Sequence, residues 1–145
     1  MAHVLETGFE ILNRENPNGS PTVMGYNIIN GELRPASDGE TFESRNPAWL
    51  DDCLGVFPLS TKDDVHDALI SAREAFSQWS QTPAPTRGQI IGNMGRLLME
   101  HKDDIVRVES REIGKTLKES AGEVQEAIDT CLFFQSEGRR LYGQT

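Results

Sequence analysis

The chain has 145 residues, enough to bury a core as one domain, and a net charge of −9 without any Lys/Arg cluster, which argues against nucleic-acid binding through a basic face. No apolar run approaches the roughly 18 residues of a membrane span. The start, Met1-Ala2-His3-Val4-Leu5-Glu6, lacks the basic and apolar regions of a signal peptide, and two cysteines make no disulfide framework, so a cytoplasmic location is expected.

Residues 1–23 read as a flexible N-terminal arm, because the stretch from Asn13 to Thr22 is rich in Asn, Pro, Gly and Ser. A β-rich stretch follows. Residues 26–29, Asn30-Gly31 and residues 32–34 give a hairpin signal, since Asn-Gly tolerates the positive φ of a type I′ turn. Residues 41–45 and 54–59 are two further short strands, and Asn46-Pro47 starts the turn between them.

From Ser60 onward the pattern is helical. Thr61 caps a first helix with Asp64 nearby. Val65, Ala68, Leu69, Ala72, Phe76 and Trp79 recur at steps of three and four and form one apolar stripe. Pro83 and Pro85 break the chain. A second helix carries Ile90, Ile91, Met94, Leu97 and Leu98 on one face. Gly92 and Gly95 weaken it by about 1 kcal/mol each relative to alanine, and they mark either close packing or a poor helix. Asp103 starts a third helix, with Ile105, Val106 and Val108, which ends at Gly114. The fourth spans residues 116–141, with Val124, Ile128, Cys131, Leu132 and Leu141 on its apolar side. The fold class is α+β: β-hairpins, then four α-helices. After residue 60 there is no strand-helix-strand alternation, which a parallel nucleotide-binding sheet requires.

Gly114-Lys115-Thr116 has the look of a phosphate-binding P-loop. That motif needs a glycine five residues earlier, where Glu109 stands, and bare backbone where Arg111 and Glu112 stand. The better reading places Gly114 in the left-handed position after the third helix and Lys115 at an exposed junction. Thr116 then opens the fourth helix, with Glu119 completing a capping box. Gly88, Gly92 and Gly95 have the wrong spacing for a dinucleotide fingerprint. His3, His66 and His101 are scattered, and the helical ones lack a second ligand at i+4, which argues against zinc. Cys131 reads as a buried structural thiol. Cys53 follows Asp51-Asp52, and neighbouring carboxylates disfavour a thiolate nucleophile. The residues alone yield no catalytic pair and no cofactor loop.

In order and spacing, however, the pieces resemble the N-terminal portion of the NAD(P)-dependent aldehyde dehydrogenase superfamily. "YNIINGELRPASDGETFESRNPA" resembles its opening Asn-Gly hairpin, Thr-Phe strand and Asn-Pro turn. "STKDDVHDALISAREAFSQWSQTPAPTRGQII" resembles its acidic-capped helix and the Arg-Gly that opens the next one. "ESREIGKTLKESAGEVQEAIDTCLFFQSEGRRLYGQT" carries its Glu-x-Gly-Lys hallmark, followed by Glu-Val and Glu-Ala.

The resemblance covers about residues 24–145 and implies the leading part of an α/β fold. Residues 24–145 would be the N-terminal part of a cofactor-binding domain, ending before the dinucleotide-binding sheet and the catalytic domain. The implied family reaction oxidises an aldehyde to the acid with NAD or NADP: a cysteine attacks the carbonyl, hydride passes to the cofactor, and a glutamate activates water. The family's nucleophilic cysteine and general-base glutamate lie downstream of this region. No catalytic or cofactor-binding role is therefore carried onto this chain, and alone it is expected to be inactive and to bind no cofactor. The resemblance also implies a homo-oligomer for the full-length protein. It places a monovalent cation between Glu112 and a backbone carbonyl of Ser44 or Arg45, with a further ligand from beyond Thr145, so that this chain would hold only part of the site. Residues 137–143 lean toward the semialdehyde-oxidising branches. Two alternatives stay open: a non-enzymatic module that docks onto a full-length subunit, and a truncated product without function.

Overall fold

The computed structural model describes residues 9–17, 19 and 21–140. The chain forms two compact units, Met1–Ser77 with Arg111–Gly114, and Gln78–Ser110 with Lys115–Thr145.

Among the described residues the first unit holds six strands: β1 Phe9–Glu15, β2 Pro21–Gly25, β3 Asn27–Ile29, β4 Glu32–Arg34, β5 Thr41–Arg45 and β6 Cys53–Pro58. Four of them form a sheet in the order β1-β2-β6-β5. Its outer pairs are antiparallel and its central β2–β6 pair is parallel. β3 and β4 form a separate hairpin. Its Asn30 and Gly31 have φ of 55° and 74°, as a type I′ turn requires.

The expected arm over residues 1–23 is corrected where residues are described, by β1 over 9–15 and by most of β2 from 21; residues 1–8 lie outside the described residues. Asn16, Pro17 and Gly19 lie between the paired strands, with Gly19 N donating to Asn16 O at 2.9 Å. Turn chemistry reads alike in an arm and in a hairpin loop, and the partner β6 is too far along the chain to show in the local sequence. Buried Asn16 ties the two together. Its Nδ2 donates to Thr22 Oγ1 at 3.0 Å and to Cys53 O at 2.8 Å, and its Oδ1 accepts from Cys53 N at 2.9 Å.

α1, Lys62–Gln81, starts on reciprocal bonds. Thr61 N donates to Asp64 Oδ2 at 2.7 Å, and Thr61 Oγ1 accepts from Asp63 N at 3.2 Å and from Asp64 N at 3.5 Å. Ser37 N adds a bond to Asp64 Oδ1 at 3.0 Å. Asp64 is the buried residue of this helix, whereas Val65, Leu69 and Phe76 of the apolar stripe are exposed. Periodicity identifies an apolar face but does not say what covers it.

In the second unit, α2 spans Ala84–Glu100, α4 spans Leu117–Gln135, and a 3-10 helix spans Glu137–Arg139. α3, Lys102–Ile113, belongs to this unit as far as Ser110. Pro85 sits in the first turn of α2, where no intrahelical N–H is lost. Val106, Val124 and Ile128 form the core, with Leu98, Ile105 and Ala121 packed on it.

The face that α2 buries is not the expected one. Gly88, Gly92 and Gly95 are buried, whereas Ile90, Met94 and Leu97 are exposed. A Cβ on Gly95 would stand 2.9 Å from Cys131 Cβ, and one on Gly92 would stand 2.8 Å from Gln135 Cγ. The glycines therefore let α4 approach closely, and packing area outweighs their low helix propensity.

α4 also ends earlier than expected, at Gln135. Ser136 N bonds Phe133 O at 3.3 Å, and the tighter 3-10 turn follows. Gly138 sits against the start of α2, where a Cβ would be 2.6 Å from the carbonyl carbon of Ala84. Leu141 lies outside the described residues. No described helix is long and apolar enough to cross a membrane.

Candidate functional site

The Gly-Lys-Thr stretch is a helix junction. In the first unit Gly114 has φ 74°, and a Cβ there would lie 2.7 Å from Pro47 Cγ. Both facts select glycine. In the second unit Thr116 caps α4. Its Oγ1 accepts from Glu119 N at 3.3 Å, and Thr116 N donates to Glu119 Oε2 at 3.2 Å, which completes the predicted capping box.

Lys115 is not exposed as expected. Only 16% of its side chain is accessible. Its Nζ pairs with Glu109 Oε1 at 2.8 Å and with Glu123 Oε2, and its carbonyl accepts from Ser110 Oγ at 2.7 Å. Helical geometry folds Glu109 and Glu123 back toward the turn between them. A lysine neutralised by two carboxylates, beside an N-terminus already capped by a glutamate, is the reverse of a phosphate cradle.

These contacts give a pH dependence with a definite sign. Hydrogen bonds to Glu109 and then Glu123 raise the Lys115 pKa above its ordinary 10.5. Its contribution to stability is complete below 10.5 and is lost as pH rises through the raised value. The Thr116 side chain holds Glu119 below its ordinary 4.5, and Lys115 does the same for Glu123. The Thr61 backbone N–H holds Asp64 below 3.8. These carboxylates contribute above their ordinary values and lose that contribution as pH falls through the lowered ones. Melting temperature against pH is expected to show a plateau that falls on both sides. Glu119→Gln should flatten the acid limb and leave the alkaline limb in place. An unchanged acid limb would count against this assignment.

The first unit also holds a buried ion pair that sequence reasoning missed. Arg111 Nε donates to Asp52 Oδ2 at 3.0 Å, and its second nitrogen donates to Oδ1 at 2.8 Å. Asp52 is fully buried and also accepts from Asn46 Nδ2 at 3.2 Å. The pair fixes the turn after β5 against the last turn of α3. Local sequence carries no signal for it, because 59 residues separate the partners.

Glu112 is exposed on that same last turn, in the unit that contains Ser44 and Arg45. Ser44 pairs with Gly55, and the ladder shifts register between Ser44 and Arg45. Among the described residues no group of three or more His, Cys, Asp or Glu side chains could hold a metal ion. His66 lies on α1 and His101 between α2 and α3, while His3 is outside the described residues. Both cysteines are buried. Cys53 Sγ lies 3.8 Å from Gly55 O in β6, and Cys131 lies under Gly95 of α2, as a structural thiol should.

Residues 34–145 match the aldehyde dehydrogenase family. The chain belongs to that family. It is 38% identical over 117 residues to the α-ketoglutarate semialdehyde dehydrogenase of Haloferax volcanii, covering 81% of this chain and 24% of that relative. It is 38% identical over 118 residues to the NADP+ succinate-semialdehyde dehydrogenase GabD of Escherichia coli K12, with the same coverage. The chain thus spans about a quarter of the length of these relatives. A solved NADP-dependent enzyme of E. coli superposes with a TM-score of 0.78 at 38% identity, over 83% of this chain and 25% of that one. The NAD-dependent aldehyde dehydrogenase of Sinorhizobium meliloti gives 0.82 over 95% of this chain and 28% of that one; at 23% identity it supports the fold alone. In this aldehyde dehydrogenase family chain, the Gly114-Lys115 stretch is held by a left-handed glycine and a doubly paired lysine.

Proposed function

We propose that this chain is the N-terminal segment of an NAD(P)-dependent semialdehyde dehydrogenase and that it has no turnover by itself. The observation that carries the reading is its 38% identity, over 81% of its length, to enzymes named for semialdehydes that bear a free carboxylate. The residues here act as scaffold for the cofactor-binding domain, and the thiolate chemistry belongs to a cysteine elsewhere in the whole enzyme. Burial of Cys53 and Cys131 supports that division, since a nucleophile must reach its substrate. The exposed apolar residues of α1 and α2 support it too, as surface that the whole enzyme would cover. A cytoplasmic homo-oligomer completes the proposal.

The coding DNA beyond Thr145 tests it. An in-frame continuation that encodes a nucleophilic cysteine and a general-base glutamate is expected. The full-length product should reduce NAD(P)+ faster with short semialdehydes bearing a carboxylate than with plain aldehydes of equal length. The 145-residue chain should give no turnover. A native stop followed by unrelated sequence overturns the segment reading. Turnover by the short chain that survives removal of both cysteines overturns its inactivity, and preference for plain aldehydes overturns the substrate class.

Glu112 with a carbonyl of Ser44 or Arg45 is proposed to hold a monovalent cation. All of these donors are oxygens, which suits a hard ion. Sodium or potassium chloride at constant ionic strength, balanced with a bulky organic cation, should raise the melting temperature. Glu112→Gln should abolish that rise. A rise that persists in the variant sinks the site.

A further inference from the structure

We draw no further inference here: the strongest candidate, the open apolar groove of about 550 Å3 between α2, α4 and the 3-10 helix, lined by Ile91, Met94, Cys131 and Phe134, carries nothing because nothing in the structure shows what covers it.

Discussion

Gly88→Ala is expected to destabilise the protein by about 1–3 kcal/mol, the usual cost of overpacking, although alanine is the better helix former by about 1 kcal/mol. The new Cβ would stand 3.2 Å from the carbonyl carbon of Gln135 and closer still to its oxygen. These are backbone atoms, so no side-chain rotation relieves the contact, and α2 must move away from α4. Such a shift reaches the core, because Leu98 of the same helix packs on Val106, Val124 and Ile128. Gly122→Ala is the control. Gly122 is exposed on α4, and a Cβ there meets nothing within 4 Å. That substitution should stabilise by about 0.4–1 kcal/mol, through reduced freedom of the unfolded chain. Urea unfolding of the two variants, with unchanged slopes, reads the difference directly. The same substitution type should move the midpoint in opposite directions. Equal stabilisation by both would mean that helix propensity alone governs α2 and that the close approach is wrong.

The contrast also shows what was legible in the sequence. Features fixed by neighbouring residues could be read: the Asn30-Gly31 hairpin, the left-handed Gly114 and the Thr116–Glu119 capping box. Each depends on a few adjacent φ/ψ choices or on a side chain reaching its own helix end. The four helices were legible for the same reason. The face that α2 buries was misread, because hydrophobicity weights Ile90, Met94 and Leu97 and assigns little to glycine. Yet Gly88, Gly92 and Gly95 fall at i, i+4 and i+7, which is one helix face. Lys115 was placed correctly at a junction but wrongly in solvent, since its two partners lie a turn or more away on either side. Contacts between distant strands and helices left no local trace. Asn16 with Cys53 and Asp52 with Arg111 are brought together only by the assembled sheet and the returning helix. The proposed Glu112 site depends on backbone carbonyls, and any residue type supplies those.

The Asp52–Arg111 pair should be the most costly to break. Arg111→Ala is expected to lose about 3–5 kcal/mol, the usual deficit when a buried pair is deprived of one partner. Asp52 is fully inaccessible, and its two oxygens receive a two-point guanidinium fork at 2.8 and 3.0 Å. Removing the fork takes this two-point contact from a carboxylate that stays out of solvent. Arg111→Lys should recover only part of the loss, because one ammonium cannot reproduce the planar two-point contact. Replacing both partners, Asp52→Leu with Arg111→Met, should cost less than the sum of the two single changes, since the buried charge disappears together with its partner. Denaturant midpoints of the parent protein, Arg111→Ala, Arg111→Lys, Asp52→Leu, Arg111→Met and the double change measure all of this. Additive single effects with a small deficit for Arg111→Ala would mean that the two side chains are not coupled and that the turn after β5 is held by its other bonds.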